Sequence, residues 1–367
     1  MKAVGLILAG GNSAHMKELT SKRAVAAMPL AGTYRSIDFT LSNMTNSGIN
    51  TVAVISQYSS RSLNAHLSSS KWWDFGRKQG GLYLLNPTIT PDNGSWYLGT
   101  ADALAQNLEF LKERHEPYVV IASGDGVYKL DYNKVVEQHT RTGAEVTVVC
   151  KELAQADAKR FGVLEVNDEG RITAWSEKED GEPKEGSSIV NCGIYVARRR
   201  HLIQILEECK LNERYDLVRD ILIRHLDTKR IMAYLMDGYW TNINSVESYF
   251  ACNQDLLDPA LRHYFFQEEP LIYTKVDDFP PAKLNSNACM VNSLVAGGSI
   301  INGTVEDSVL FKKVYVGDGS TVKNCILLDD AYVGDNVTLE NCIVEKHTKI
   351  ADGTQEKGSR GEIKILS

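Results

Sequence analysis

Two short turns, each directly after an apolar run, carry the residues whose types suggest chemistry. Residues 3–8 are apolar and lead to Gly10 and Gly11, and residues 118–122 are apolar and lead to Gly124 and Asp125. A glycine turn after a buried strand lets the backbone approach a ligand, and successive N–H groups there form a surface that attracts phosphate. Because GxGxxG and GxxxxGK are both absent, Gly10 and Gly11 alone also fit a turn without a ligand.

Strands and helices are predicted to alternate over the first 250 residues, and this order positions the two turns. Residues 51–56, 118–122 and 145–150 are rich in β-branched side chains, whereas 59–67, 101–114 and 134–142 have apolar residues at helical spacing. Such alternation predicts a mostly parallel sheet with helices on both faces and ligands beyond the carboxyl ends of the strands. We therefore expect the two turns to face each other across one crevice.

Two stretches break this alternation. Residues 68–96 contain aromatic side chains and chain breakers without a clear period, which predicts an irregular segment packed on the surface, over the crevice or against a partner. Residues 254–285 contain four prolines and mixed charge, which predicts a linker between two domains.

A repeat begins beyond the linker. The string YVGD at 315–318 recurs at 332–335, and the related string KIAD follows at the same interval, at 349–352. Apolar residues recur every six positions within the repeat, which is typical of a parallel β-helix with three faces per coil. The length accommodates three to four coils. The apolar positions are Val316, Val322, Leu328, Val333, Leu339, Val344 and Ile350.

Composition excludes several classes of function. The net charge of −7 argues against a nonspecific nucleic-acid binder, and no apolar run approaches the ~20 residues of a membrane helix. The seven cysteines are scattered and form no CxxC, which argues against a zinc site or a disulfide framework and favours a reduced, cytoplasmic location.

The strings LAGG, LT, KRA, YRSIDFTLSN and NSGI near the start of the chain carry a family resemblance. They resemble the N-terminus of the sugar-phosphate nucleotidyltransferases and, within them, the ADP-glucose pyrophosphorylases (glucose-1-phosphate adenylyltransferases). The resemblance covers nearly the whole chain. It implies an α/β fold with a mostly parallel Rossmann-like nucleotidyltransferase sheet over 1–253, a linker over 254–285 and a short left-handed parallel β-helix over 286–367.

The resemblance also assigns roles to residues that match the family's motifs. Asp125 matches the Asp that holds magnesium, with Mg²⁺ as the family's cofactor. Three further sets follow: Gly10, Gly11, Gln57, Gly99, Thr100 and Asp102 for the nucleotide; Glu177, Lys178, Asn191 and Gly193 for the sugar phosphate; and Lys22, Arg23 and Arg35 for a phosphorylated effector.

Two departures from the family pattern fall on catalytic positions. His15 stands where the family has the Arg of its glycine loop, and Asn242 stands where it has the second metal-holding Asp. A histidine is mostly neutral at pH 7 and lacks the bidentate fork of arginine, and an amide lacks the charge that makes a carboxylate an effective ligand for a hard cation. We therefore expect Asp125 to bind Mg²⁺ only weakly in this chain alone.

This pattern resembles the D-type subunit that accompanies a catalytic subunit in bacterial glycogen biosynthesis. It implies a poorly active or inactive partner in a heterotetramer, with a homo-oligomer as the other possible assembly and with ATP or ADP-glucose and sugar phosphates as ligands. The alternative is a self-sufficient adenylyltransferase that tolerates His15 and Asn242. A β-helix acyltransferase is set aside because the coils are few and the repeat contains one histidine, His347.

Overall fold

The computed structural model describes residues 2–11, 14–76, 80–88, 96–158, 160–177, 186–359 and 361–367, with only the backbone of residues 155–156. The chain divides into two compact units. The first comprises Met1–Gly11, Thr40–Gln57 and Trp73–Trp240, and the second comprises Asn12–Phe39, Tyr58–Trp72 and Thr241–Ser367.

Short strands and helices alternate through the first two thirds of the chain, and very short strands fill the last third. The helices are α1 (Ser36–Asn46), α2 (Arg61–Leu67), α3 (Thr100–Gln106), α4 (Leu108–Lys112), α5 (Tyr132–Thr142), α6 (Gln155–Ala158), α7 (Arg199–Leu211), α8 (Val246–Asp255) and α9 (Pro259–Phe266). The strands up to the end of the first unit are β1 (Ala3–Leu8), β2 (Pro29–Leu30), β3 (Tyr34–Arg35), β4 (Thr51–Ile55), β5 (Gly81–Leu85), β6 (Tyr118–Ser123), β7 (Gly126–Tyr128), β8 (Val146–Ala154), β9 (Val163–Val166), β10 (Ile172–Ser176), β11 (Ser187–Arg198), β12 (Ile231–Leu235) and β13 (Trp240–Asn242).

The first unit is built on a mixed sheet, which confirms the predicted α/β class. Among its described residues the strand order is β10-β9-β11-β6-β1-β4-β5, with β8 beside β11 and β12 beside β8. Strands β6, β1, β4 and β5 run parallel, whereas β11 runs antiparallel to β6, β8 and β9. Apolar side chains of β1, β6, α3 and α7 form a buried core on one side of this sheet.

The predicted strands at 3–8, 51–56, 118–122 and 145–150 are confirmed as β1, β4, β6 and β8. The prediction of an irregular segment over 68–96 was wrong for residues 81–85, which form strand β5 at the edge of the sheet. Among the described residues β5 has one neighbouring strand, β4, and its side chains are mostly half-buried without a clear alternation. Residues 77–79 and 89–95 lie outside the described part of the segment.

The repeat in the second unit forms a left-handed parallel β-helix. Its described strands make three parallel sheets of five strands each, one sheet for each face of the coil. The strands are β14 (Lys283–Leu284), β15 (Cys289–Val291), β16 (Leu294–Val295), β17 (Ile300–Ile301), β18 (Thr304–Glu306), β19 (Val309–Leu310), β20 (Tyr315–Val316), β21 (Thr321–Lys323), β22 (Ile326–Leu327), β23 (Tyr332–Val333), β24 (Thr338–Glu340), β25 (Cys342–Val344), β26 (Lys349–Ile350), β27 (Gln355–Lys357) and β28 (Lys364–Leu366).

The apolar positions of the repeat are buried as predicted, but the number of coils was underestimated. Val316 and Leu339 are completely buried in the interior of the β-helix. Five coils are present in the described residues rather than three to four. The register shows why: Ile300 pairs with Tyr315, which is a shorter step along the chain than the step from Tyr315 to its partner Tyr332. This shorter coil hides the first repeats from a search at a fixed period.

The second unit also contains segments from the beginning of the chain. Tyr249 on α8 donates a hydrogen bond from its hydroxyl to the carbonyl of Pro29 at 2.8 Å. The ring of Tyr34 stacks on that of Phe266 at the end of α9, with centroids 4.1 Å apart. These contacts attach strands β2 and β3 to the two helices that precede the β-helix. None of the helices in the described ranges is both long and apolar enough to cross a membrane.

Candidate functional site

The carboxyl ends of three neighbouring parallel strands place the predicted site residues of the first unit at one edge of its sheet. Leu8 at the end of β1 pairs with Ile55 on β4 and with Ser123 on β6. The N–H of Gly124 donates to the carbonyl of Leu8 at 3.0 Å, so the turns that contain Gly10 and Asp125 are neighbours. Strand order alone therefore brings together the glycine turn, the Gln57 turn and the Asp125 turn.

Gln57 connects the glycine turn to the loop before α3. A Cβ on Gly10 would lie 3.4 Å from Cγ of Gln57, whereas one on Gly11 would meet nothing within 4 Å. Oε1 of Gln57 accepts a hydrogen bond from the N–H of Tyr97 at 2.9 Å, and Nε2 donates to the carbonyl of Tyr97 at 3.4 Å. Both ends of this amide thus hold the loop in place.

Side chains inside the loop fix it further. Oδ2 of Asp102 accepts from the N–H of Leu98 and from Nε2 of Gln106, both at 2.8 Å. Oγ1 of Thr100 accepts from the N–H of Leu217 at 2.9 Å. Thr100 and Asp102 therefore support the backbone of this loop.

Gly99 and two exposed side chains complete the loop. A Cβ on Gly99 would lie 2.3 Å from the carbonyl oxygen of Tyr215, which accepts a hydrogen bond from the N–H of Ala101 at 2.7 Å. The side chains that the loop leaves exposed are Trp96 (57% exposed) and Leu98 (61% exposed). Both lie in the string of residues 96–103 that the resemblance assigns to the wall of the nucleotide pocket.

Asp125 is held by a polar network that the sequence did not reveal. Its Oδ1 accepts from the hydroxyl of Ser123 at 2.5 Å, and the carbonyl of Ser123 accepts from Oγ1 of Thr40 at 3.0 Å. Behind them lie Tyr128 and Tyr132, whose hydroxyl oxygens are 2.7 Å apart. Burial raises the pKa of Tyr128 to about 12.

The residues predicted for the sugar phosphate lie beside the same edge. A bulge in β11 follows Asn191, whose N–H donates to the carbonyl of Gly162 at 3.0 Å. Gly193 has a φ of +70°, and its N–H donates to Oδ1 of Asn191 at 2.9 Å. A Cβ on Gly193 would lie 3.5 Å from Cβ of Ser123, which places this turn next to the strand that leads to Asp125.

Glu177 and Lys178 complete the predicted sugar-phosphate set. Oε1 of Glu177 accepts a hydrogen bond from Nε1 of Trp175 at 3.0 Å. A Cβ on Gly162 would lie 2.8 Å from the same oxygen, so Glu177 packs directly over that glycine. Lys178 lies outside the described residues.

The two departures from the family pattern lie in the second unit. His15 is exposed in a 3₁₀ turn over Ala14–Thr20. Asn242 is the last residue of β13, and its Oδ1 is buried without a hydrogen-bond partner among the described residues. An unpaired buried polar atom costs free energy, about 1–3 kcal/mol, so Asn242 is not explained by local stability.

These donors do not fit the magnesium site that the family implies. The described residues contain no group of three or more His, Cys, Asp or Glu side chains arranged to hold a metal. Asp125 already accepts a hydrogen bond from Ser123, and the second position supplies the neutral amide oxygen of Asn242. Mg²⁺ is held mainly by carboxylates and phosphate oxygens, so the residue types at the two positions that the resemblance assigns to the metal supply one negative charge fewer than the family pattern.

A separate cavity lies wholly within the second unit, and we call it the basic pocket. It encloses about 420 Å³, including the part open to solvent. Its cationic lining residues are Arg23, Arg35, Lys312 and Lys346. The sequence predicted Arg23 and Arg35 for an effector, whereas Lys312 and Lys346 were missed because only the coils of the β-helix bring them to this place. Lys22 is exposed and is not among the lining residues.

Arg35 is a half-buried cation of the basic pocket. Its Nη1 donates to the carbonyl of Ser62 at 3.0 Å and to the hydroxyl of the same residue at 2.9 Å. Burial lowers the pKa of its guanidinium, and the charge of Asp38 opposes this effect. Asp38 accepts from the N–H of Arg35 at 2.9 Å and lies 2.6 Å from Nε2 of His66. The orientation of Arg35 is therefore fixed before any ligand arrives.

Comparisons with known proteins agree over most of the chain. Residues 4–259 match the model of the nucleotidyl transferase family, and residues 280–356 match that of the GlmU-like C-terminal hexapeptide family. The chain is 39% identical over 319 residues to a glucose-1-phosphate adenylyltransferase of Thermosipho africanus, covering 86% of this chain and 77% of the relative. Proteins of the same name from Thermosipho melanesiensis and Clostridium novyi are 40% and 37% identical, covering 86% of this chain and 76% and 83% of the relatives.

Proposed function

The chain belongs to the glucose-1-phosphate adenylyltransferase family, and from that premise we propose that it is a regulatory subunit with little or no activity of its own. The family name describes adenylyl transfer from ATP to glucose 1-phosphate, which yields ADP-glucose and pyrophosphate. In this proposal the chain assembles with a catalytic member of the family, as a heterotetramer, and raises its activity or its response to an effector in glycogen biosynthesis.

The observation that carries the proposal is Asn242. A buried amide oxygen without a partner among the described residues stands where the resemblance expects a carboxylate, so one negative charge is missing from the metal ligands. The exposed His15 supports the same conclusion because it supplies no permanent charge for the phosphates. Loss of one cation and loss of one anion would each slow adenylyl transfer.

The arrangement of the residues assigned to the nucleotide supports the proposal that the chain still binds a nucleotide. Gln57, Thr100 and Asp102 hold the loop of residues 96–102 by hydrogen bonds that need no ligand. We propose that ATP and the sugar phosphate still bind at this edge, or ADP-glucose in place of both, with Asn191, Gly193 and Glu177 beside the sugar phosphate and with Lys178 assigned to it by the resemblance alone. This retention is also what favours the second candidate, a self-sufficient adenylyltransferase.

We propose the basic pocket as the effector site, with a phosphorylated metabolite as its ligand. Arg23 and Arg35 bring guanidinium groups, which bind phosphate oxygens in a bidentate manner, and Lys312 and Lys346 add two ammonium groups. Lys22 contributes in this proposal only as an exposed positive charge close in sequence.

The test is the release of pyrophosphate by the purified chain supplied with ATP, glucose 1-phosphate and Mg²⁺. We expect turnover far below the roughly 1–10 per second of ordinary enzymes. The double replacement His15→Arg and Asn242→Asp should raise the rate because it restores both missing charges, whereas Asn244→Asp, at a neighbouring residue outside the predicted metal set, should leave it low.

Two results would contradict the proposal. Turnover of the unmodified chain at the ordinary level would identify it as a self-sufficient enzyme. A rate that stays equally low after the double replacement would show that His15 and Asn242 are not the cause of the inactivity, and the restored variant must then be checked for bound nucleotide by calorimetry.

A further inference from the structure

Three of the four cations of the basic pocket already have an acidic partner inside the chain. Nη2 of Arg23 contacts Oε1 of Glu345, and both side chains are largely buried, with 12% and 16% exposed. Nζ of Lys312 lies 2.5 Å from Oδ2 of Asp277. Nζ of Lys346 lies 3.8 Å from Oδ2 of Asp329. Among the described residues, Arg35 alone of the four has no carboxylate within ion-pair distance, and its guanidinium hydrogen-bonds to Ser62.

The carboxylate of Glu345 is fixed in position. Its Oε1 also accepts a hydrogen bond from the N–H of Lys346 at 2.7 Å, so the contact with Arg23 does not depend on a mobile side chain. Glu345 does not line the pocket, whereas Arg23 does. The carboxylate therefore acts on a ligand through Arg23, by neutralising the charge that this guanidinium presents.

The consequence is a pocket in which three of the four positive charges are offset by a carboxylate at ion-pair distance, while the charge of Asp38 acts on the fourth, Arg35, without an ion pair to its guanidinium. Opposite charges close to a protein surface attract each other, but side-chain entropy and salt reduce this attraction to a small net effect at exposed sites. The Arg23–Glu345 pair is the least exposed of the three pairs, so its charge is the least screened. An anion that enters the pocket competes with Glu345 for the same guanidinium.

We propose that Glu345 is a positioning residue that sets the anion affinity of the basic pocket by holding part of the charge of Arg23. The inference rests on the proposed effector function of this pocket. It identifies the ligand class as a compact anion with one phosphate group, because Arg35 is the one cation of the four whose guanidinium has no described carboxylate at ion-pair distance, although the charge of Asp38 acts on it. Removing the charge of Glu345 converts the pocket into a tighter anion site.

The test is calorimetric titration of the full chain with inorganic phosphate, repeated with inorganic sulfate, whose charge does not change near neutral pH. We expect Glu345→Gln to lower the Kd for both anions roughly five- to tenfold at low ionic strength. The matched control is Glu306→Gln, which removes a β-helix glutamate that pairs with Lys323 at 3.0 Å away from the pocket, and it should bind like the unmodified chain.

A second variant acts at another ion pair of the same pocket. Burial by itself raises the pKa of Asp277, yet the hydrogen bond and charge of Lys312 leave that pKa below its ordinary value. Asp277→Asn releases Lys312 without touching Glu345 and should also tighten anion binding. Urea unfolding without anion shows whether Glu345→Gln folds. If it does not fold, anion binding by Asp277→Asn tests the role of the internal acids in its place.

The possible outcomes separate this inference from the proposed function. Tighter binding by Glu345→Gln and Asp277→Asn supports both, because a merely structural role of Glu345 would weaken binding when it is lost. Binding by the unmodified chain that is unchanged or weaker in both variants overturns the role of the internal acids and leaves the effector site standing. Absence of saturable binding in every variant overturns the effector site and the inference with it.

Discussion

Gly99 occupies a position where the loop before α3 leaves no room for a side chain. A Cβ there would lie 2.3 Å from the carbonyl oxygen of Tyr215. We expect Gly99→Ala to lower the free energy of unfolding by about 1–3 kcal/mol, the usual cost of overpacking, and to weaken nucleotide binding because the loop must shift. Urea unfolding and calorimetry with ATP measure both effects.

Gly76→Ala is the matched control for Gly99→Ala. A Cβ on Gly76 would meet nothing within 4 Å, and this glycine also belongs to the first unit. Equal free energies of unfolding of the two alanine variants would show that the loop before α3 can accommodate a methyl group at residue 99. The close approach of Gly99 to Tyr215 would then not determine the position of the loop.

His139 makes the stability of the first unit depend on pH. It is completely buried on α5, its Nδ1 lies 2.9 Å from Oγ1 of Thr147, and burial together with the charge of Arg198 lowers its pKa to about 4. In the unfolded chain the imidazole of His139 is protonated below about pH 6.5, whereas in the folded chain it stays neutral until about pH 4. The contribution of His139 to the free energy of unfolding is therefore full above pH 6.5 and is lost as the pH falls towards 4. We expect a loss of roughly 2 kcal/mol between pH 7 and pH 5 from this group.

The contribution of His139 is isolated by comparison with His139→Gln, which does not titrate. Urea unfolding at pH 7 and pH 5 should show a larger drop for the unmodified chain than for the variant. Equal drops would mean that the imidazole is protonated in the folded state or that other groups dominate this pH range.

At the scale of elements, the coils of the β-helix depend on a continuous apolar interior. Leu339 on β24 is completely buried between Val322 and the next coil, whereas Thr338 on the same strand is exposed. We expect Leu339→Ala to lower the free energy of unfolding by about 2–5 kcal/mol, because it removes buried methyl groups and leaves a cavity. Thr338→Ala should change it by less than about 0.5 kcal/mol. A similar effect of both changes, measured by urea unfolding, would contradict a tightly packed interior.

The sequence predicted elements well where a local pattern specified them. The apolar runs of β1, β4 and β6 and the six-residue rhythm of the later coils come from side chains that must be buried, so they are visible without a structure. The direction of β11 cannot be predicted in this way, because its antiparallel position between β6 and β8 depends on partner strands that lie far away along the chain. The coil with the shorter repeat was missed for a related reason, since only the paired register shows that it continues the others.

The same distinction applies to the sites. Arg23 and Arg35 lie in strings that the sequence singled out, and both line the basic pocket. Lys312 and Lys346 belong to β-helix turns near the other end of the chain, and nothing local marks them. Ser123 and Thr40 beside Asp125 were likewise hidden, because their types are common and only the sheet brings their hydrogen bonds together.

At the scale of the whole molecule, the proposed function requires a second kind of chain. We expect co-expression with a catalytic member of the family to give one complex on size-exclusion chromatography and a rate per catalytic subunit above that of the catalytic chain alone. The restored variant with His15→Arg and Asn242→Asp should form the same complex, because neither change alters the β-helix. Separate elution at micromolar concentrations would contradict the proposed partnership.

The second unit is formed by segments that are far apart along the chain, and this affects how the protein folds during translation. Residues 12–39 and 58–72 leave the ribosome early, but the rest of their unit begins at residue 241. At a translation speed of about 5–20 residues per second, these nascent segments wait roughly ten seconds or longer for their partners. A chain that ends at residue 240 would lack all of these partners. We therefore expect such a truncated product to bind chaperones and to precipitate, whereas the full chain folds completely only after its last coils have been synthesised.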